Sequence, residues 1–407
     1  MPKIQPEIIS GAAATPLKAL SDFSLMNGGL LYRFWRSTRL SGDALEFARR
    51  RMLATVLVTW VPLLLLSIAE GNAWGRGGMV TFLQDVETHA RLLIAAPLLI
   101  LAEVRVHRVL PQIVGLFLER GLIPDDARAQ FDAAIASALR LRNSVVAELL
   151  LIVFVYSVGI PFVWRDQLAL GVTSWFATVE GGRLQPSLAG WWVALVSLPV
   201  LQFLVVRWYF RFVIWARFLW QVSRIELNLE PTHPDGTAGL HFLARAGRAY
   251  YLVLLGLGTV LAGMMANRIF YEGAKLLEFK AEIVGTVGLL VFAVLGPLLV
   301  FTPHLRVARR KGMEEYGSLG QQYAREFNRK WIRGDRPPDE TPLGSADIQS
   351  LADLRNGYLV VEGIRLTPFG MKNVTSLAVI TLLPVAPLLL TTFSVEQLLD
   401  RVLKVLL

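Results

Sequence analysis

Residues 283–303, IVGTVGLLVFAVLGPLLVFTP, and residues 249–267, AYYLVLLGLGTVLAGMMAN, decide the fold class. Neither stretch carries a charged side chain. Each is long enough to cross a hydrocarbon layer of roughly 30 Å as a helix. Lipid offers the backbone no hydrogen-bond partners, so a lone segment at that depth must bond to itself, which a helix does. The reading is an all-α, polytopic transmembrane helical bundle with cytoplasmic helical extensions.

Composition agrees. The chain has 407 residues, 54% hydrophobic and 18% charged, with a mean hydropathy of +0.48. A soluble chain of this size carries charge on about a quarter of its residues. The net charge of +9 would suggest nucleic acid in a soluble protein. Here the basic residues flank the apolar runs, so topology and the headgroups of the lipid bilayer account for them, and no nucleic-acid partner is expected. The absence of cysteine rules out disulfides and thiolate metal sites. The first twenty residues have no apolar core of signal-peptide length, which leaves insertion to the first span.

Working outward from the two decisive stretches gives about seven spans: Met52–Ala69, Leu92–Ala102 extended to Leu110, Ser144–Trp164, Leu188–Val206, Ala249–Asn267, Ile283–Pro303 and Asn373–Val395. The second is the weakest, because only LLIAAPLLILA lies between Arg91 and Glu103. Arginine-rich loops alternate with arginine-poor ones, which predicts the N-terminus inside and the C-terminus outside. The parts fall into a cytoplasmic N-terminal segment (1–51), a six-span region (52–303) with helical extensions at 105–143 and 207–248, a cytoplasmic amphipathic and loop segment (304–372), and a last span with a C-terminal amphipathic helix (373–407). Prolines 62, 97, 161, 199, 297, 384 and 387 in or near the spans predict kinks. Gly256, Gly258, Ala262, Gly263 and Ala266 form a small-residue face for close helix packing.

Two groups of residues are candidate sites. The first is the inner-side stretch from Glu226 to His241, where His233, Asp235, His241 and Glu230 gather around two prolines and two glycines. Imidazoles with carboxylates suit a divalent cation, here His233, Asp235 and His241, or a general acid–base pair. A rigid turn with Asp235 as a helix cap explains the same residues structurally, and more simply. The second group is ionisable residues near lipid depth: Glu103, His107, Glu148 and Arg207. Such residues are functional suspects by default, with snorkelling or a structural ion pair as the plainer account. No phosphate loop, nucleophile elbow or zincin motif is present, so enzyme status stays open.

Residues 303–334, PHLRVARRKGMEEYGSLGQQYAREFNRKWIRG, followed by LGSADIQSLADLRN, GIRLTPFG and a final span, resemble an uncharacterised family of bacterial multi-pass membrane proteins; THPDGTAGL (232–240) fits the same pattern. The resemblance implies the bacterial cytoplasmic (inner) membrane and no assigned activity. Three functions compete. Transport or permeation of a small solute or ion is placed first, with a homo-oligomer if the protein is a channel. A membrane-interface enzyme built on the His/Asp cluster is second. A non-catalytic scaffold or sensor whose cytoplasmic protein partner docks on 305–372 is third.

Overall fold

The computed structural model describes residues 48–74, 80–159, 174–180, 183–334, 337, 340–341 and 345–392. The N-terminal segment before residue 48, the end of the third span after Gly159 with Pro161, and the C-terminal amphipathic helix lie outside these residues.

The described chain is almost entirely helical. In order the helices are α1 (Ala48–Thr59), α2 (Val61–Ala69), α3 (Val86–His89), α4 (Ala96–Glu119), α5 (Arg128–Arg142) and α6 (Val145–Phe154). A small antiparallel hairpin, β1 (Ala177–Glu180) with β2 (Arg183–Pro186), precedes α7 (Leu188–Trp192) and α8 (Leu198–Val222). Then come α9 (Arg245–Ala249), α10 (Tyr251–Tyr271), α11 (Lys280–Leu295), α12 (Thr302–Phe327), α13 (Ala346–Glu362) and α14 (Met371–Leu382).

Five helical stretches are long and apolar enough to cross a membrane: Ala48–Ala69, Leu188–Val222, Tyr251–Tyr271, Leu276–Ile332 and Met371–Thr391. The pair Asp125–Arg142 and Val145–Gly159 makes a sixth if it counts as one broken span, bent by 46°. Among the described residues five or six such helices are found, against the expected count of about seven. The second expected span belongs to a helical run over 86–119 that fails on composition, because Glu103, Arg105 and Arg108 interrupt its apolar stretch. The chain bends at Asn143–Ser144, between the extension and the third expected span, and Ser144 caps α6 by accepting from the Ala147 N–H.

The outer surface of these helices is compatible with lipid around them. Leu65, Leu150, Val153, Leu195, Phe292 and Val379 are each more than half exposed. A soluble surface does not carry such a belt. Helix α10 is the central post. A Cβ at Gly258 would overlap the Thr381 carbonyl oxygen of α14, and one at Gly263 would sit 2.8 Å from the Ala90 Cβ. The small-residue face therefore lets two neighbouring backbones press against α10.

Proline breaks the spans, and the neighbours repair them. Pro62 lacks the N–H that would bond the Val58 carbonyl four residues back, and Trp192 Nε1 donates to that carbonyl at 3.0 Å. Ser197 Oγ donates to the next one, Thr59, at 2.7 Å. Pro199 likewise frees the Leu195 carbonyl, which accepts from Tyr156 Oη at 3.2 Å. The wide turns Ala90–Ala95 and Val193–Ser197 lie immediately before Pro97 and Pro199, where the proline ring pushes the preceding turn open. Breaks that would be costly in lipid thus become inter-helix hydrogen bonds.

Gly258→Ala should lower stability by about 1–3 kcal/mol through overpacking. A thermal melt of the detergent-purified protein beside wild type measures it, and an unchanged midpoint would mean that α10 and α14 are less tightly apposed than described.

Candidate functional site

Five ionised side chains from four helices meet in one buried cluster. Glu103 stands on α4 at the end of its apolar stretch. Arg207 and Arg211 stand one helical turn apart on α8, so they share a face. Glu148 opens α6, and Arg51 lies early in α1. Arg211 Nη1 is 2.9 Å and Arg207 Nη1 3.1 Å from Glu103 Oε1. Arg51 donates to the other Glu103 oxygen. Arg207 also reaches Glu148, with Nε 3.8 Å from Oε1. Glu103, Glu148, Arg207 and Arg211 are each less than a tenth exposed.

Every one of these charges lies at the same end of an apolar stretch, which is why they meet. Arg51 precedes the first stretch, Glu103 follows the second, Glu148 precedes the third and Arg207 follows the fourth. Antiparallel packing brings those ends to one level.

Among the described residues the cluster is not balanced: three guanidiniums face two carboxylates. Arg211 Nη1 approaches Glu103 closely, and Arg211 Nη2 has no hydrogen-bond partner among the described residues. The Arg211 guanidinium lies 4.8 Å from the centroid of the Trp208 ring, a cation–π contact. The fully buried Tyr250, packed against Phe212 and Trp208, has a hydroxyl with no hydrogen-bond partner among the described residues. Trp208 itself is satisfied, donating from Nε1 to the Leu99 carbonyl at 3.1 Å.

Of the four intramembrane candidates, the structure brings Glu103, Glu148 and Arg207 together. His107, one turn past Glu103, stands instead beside Arg108 and Arg142. Arg51 and Arg211 were legible only as topological arginines. The signal for Arg211 is its four-residue spacing from Arg207; Arg51 carries no comparable mark within the basic run at 49–51.

The second candidate group is built as a turn. Asp235 Oδ1 accepts from the Thr237 N–H at 2.8 Å and the Gly239 N–H at 3.1 Å, and Oδ2 accepts from the His241 N–H at 3.0 Å. The Asp235 N–H in turn donates to His233 Nδ1 at 3.2 Å. Gly236, Ala238 and Gly239 take positive φ, so the loop coils tightly around that carboxylate. Arg365 clamps it from the far side, donating its N–H to the Gly236 carbonyl and Nη2 to the Asp235 carbonyl. Gly312 of α12 fits against Pro231 and Val361, where a Cβ would come within 2.7 Å and 2.8 Å. The turn therefore seats the α12–α13 hairpin on the bundle. Glu230 is turned away and accepts from Thr232 Oγ1. Among the described residues no group of three His, Asp or Glu side chains is placed to hold a metal. Both Asp235 oxygens are taken by backbone donors, and the divalent-cation reading of His233, Asp235 and His241 has no ligand set to rest on.

A third network, at the opposite end of the bundle, went unmarked in the sequence. Buried Asp85 accepts from Trp175 Nε1 at 2.9 Å, Asn267 Nδ2 at 2.7 Å, and both the N–H and hydroxyl of Thr88. It caps α3 and ties it to α10 and the β-hairpin region.

Searches of protein-family models, curated proteins and solved structures return no match to this chain. What the structure defines is a class: an all-α chain with, among the described residues, five or six helices long and apolar enough to cross a membrane and a buried ion cluster between them.

Glu103→Gln removes the carboxylate that faces three guanidiniums, and should cost about 3–5 kcal/mol, the range for breaking a buried pair on one side; the melting midpoint in detergent reports it. Asp235 has a different signature. Burial alone would raise its pKa, but the N–H groups of Thr237, His241 and Gly239 outweigh burial and hold it below the ordinary value of 3.8. Its contribution is present above that value and lost as the pH falls through the lower folded-state pKa. Asp235→Ala should cost about 0.5–2 kcal/mol at neutral pH, as lost caps do, and should show a shallower loss of stability below pH 3.8 than wild type. Parallel acid slopes would assign the acid limb to other carboxylates.

Proposed function

We propose that this protein carries a small solute across the membrane, an anion in the first instance, with Arg211 as the group that receives it. The observation that carries this reading is the cluster's charge balance among the described residues: two buried guanidiniums and a half-buried third against two carboxylates, with Arg211 Nη2 and the Tyr250 hydroxyl lacking hydrogen-bond acceptors there. Buried donors without acceptors are uncommon, and an ion or water that visits the site is a standard reason for them. Ionisable residues at membrane depth are functional suspects by default, and substrate and ion pathways are among the functions they mark. On the arginine distribution, with the basic run at 49–51 beside it, the cluster faces the cytoplasm.

A second reading has its own support. Leu319 of α12, Ile332 just beyond it and Ile348 of α13 are each about half exposed or more on the α12–α13 hairpin. This is where a cytoplasmic partner of a scaffold protein would dock. The permeation reading is preferred because the cluster lies within the bundle and the hairpin does not.

Proteoliposomes loaded with a halide-quenched dye test the proposal. An iodide gradient should quench the dye faster than in protein-free vesicles. Arg211→Gln should slow the flux roughly ten- to a hundredfold, the equivalent of losing a charged hydrogen bond worth about 1.5–3 kcal/mol. Wild-type flux at the level of empty vesicles, or full flux in a folded Arg211→Gln protein, would remove the reading.

A further inference from the structure

Arg105 lies two residues past Glu103 on α4, so it stands on the opposite side of that helix from the ion cluster. Its Nε donates to the Arg248 carbonyl in the last turn of α9, at 3.0 Å. Both arginines are exposed, and among the described residues neither forms an ion pair with a carboxylate. A guanidinium suits the carbonyls at a helix C-terminus, which explains the bond from Nε. That bond leaves the terminal nitrogens of Arg105 and the whole Arg248 guanidinium for other partners.

The surface beside the two arginines is apolar. Leu101, 37% exposed, precedes Arg105 by one turn on the same face of α4. Leu252, half-buried, follows Arg248 by four residues in the first turn of α10. A Cβ at Gly256 would meet Leu99 at 3.4 Å and one at Gly263 would meet Ala90 at 2.8 Å, so α4 and α10 stand side by side and antiparallel. Arg105 and Arg248 therefore close the same end of the seam between these helices. A seam that turns from aliphatic to doubly cationic within about one turn matches the boundary between acyl chains and headgroups.

The charges narrow what can lie there. Guanidiniums take phosphate through paired N–H groups. A free anion gains little from exposed arginines, because water and salt screen the attraction. A lipid phosphate is held at that level by its own acyl chains. A choline headgroup would bring an ammonium up to two guanidiniums, whereas a headgroup without a cation keeps its negative charge.

We propose that this seam binds an anionic phospholipid of the leaflet that the arginine-rich ends face, with the phosphodiester held by Arg105 and Arg248 and an acyl chain lying along Leu101 and Leu252. The site does not rest on the permeation reading: the lipid binds whether or not any ion crosses.

Native mass spectrometry of the full-length protein in mild detergent tests it, with phosphatidylglycerol as probe and phosphatidylcholine of the same chains as control. The first phosphatidylglycerol should bind roughly thirtyfold more tightly than the first phosphatidylcholine, at about fivefold for each arginine near an anionic headgroup. Arg105→Gln/Arg248→Gln should remove most of that preference and leave phosphatidylcholine binding unchanged. Arg248→Gln alone keeps the bond from Arg105, since the acceptor is a backbone carbonyl. It serves if the double variant fails to fold, as judged by the melting midpoint, and should lower the preference about fivefold. Arg325→Gln/Arg329→Gln removes the same charge from the α12–α13 hairpin and should change nothing. Equal binding of the two lipids, or a preference that survives in the folded seam variants, would overturn the site. An equal loss in the hairpin variant would reduce it to diffuse charge. Full displacement of phosphatidylglycerol by millimolar glycerol phosphate would make it a site for free phosphate and overturn the lipid assignment.

Discussion

The buried ion cluster around Glu103 is the constraint on which the rest of the bundle depends. Removing an ion from water costs several kcal/mol even after relaxation, and five are gathered here. None is tolerable alone at that depth, so α1, α4, α6 and α8 must hold one relative level. A slip of α8 by one turn, about 5.4 Å, would move Arg207 out of reach of both carboxylates. Hydrophobic burial cannot set this register by itself, because lipid is as apolar as the helix faces and does not drive helices together. The charges supply the discrimination that the apolar surfaces lack.

The proline breaks serve the same end by another route. A proline inside a span leaves a carbonyl without its N–H, and in lipid the missing bond must come from a neighbour. Trp192 to Val58 and Tyr156 to Leu195 are such bonds, and each names a specific partner helix. Where the chain needs no polar contact, it uses small residues instead, as at Gly258 and Gly263 on α10. Ion pairs, repaired carbonyls and close backbone contacts together locate helices whose outer faces carry little information. Where this economy is incomplete, Arg211, Tyr250, Arg91 and Gln202 keep polar atoms without partners among the described residues.

The sequence showed its helices clearly and its sites unevenly. The run at 283–303 reads as a span because the charge-free length is a one-dimensional property. Helix 86–119 was harder: its apolar core is short, and whether Glu103 ends a span or sits buried within the bundle turns on whether guanidiniums meet it. The stretch at 226–241 drew attention because rare residue types were crowded together. Crowding does not tell whether a carboxylate faces a ligand or its own backbone, and Asp235 faces its own backbone.

By itself, then, the sequence determined that the chain is a helical membrane protein, where most of the apolar segments begin and end, and that charge collects at their ends. Those follow from composition along a line, since lipid imposes the helix and the hydrocarbon thickness imposes the length. Only the tertiary structure decided that Arg51, Glu103, Glu148, Arg207 and Arg211 are one cluster. It also decided that the carbonyls freed by Pro62 and Pro199 belong to neighbours, and that Arg105 lies against Arg248. Residues 52 and 104 positions apart meet in the cluster, as at Arg51 with Glu103 and Arg207 with Glu103. No local pattern encodes such a meeting; it arises from how the helices pack, and packing is settled by all of them at once.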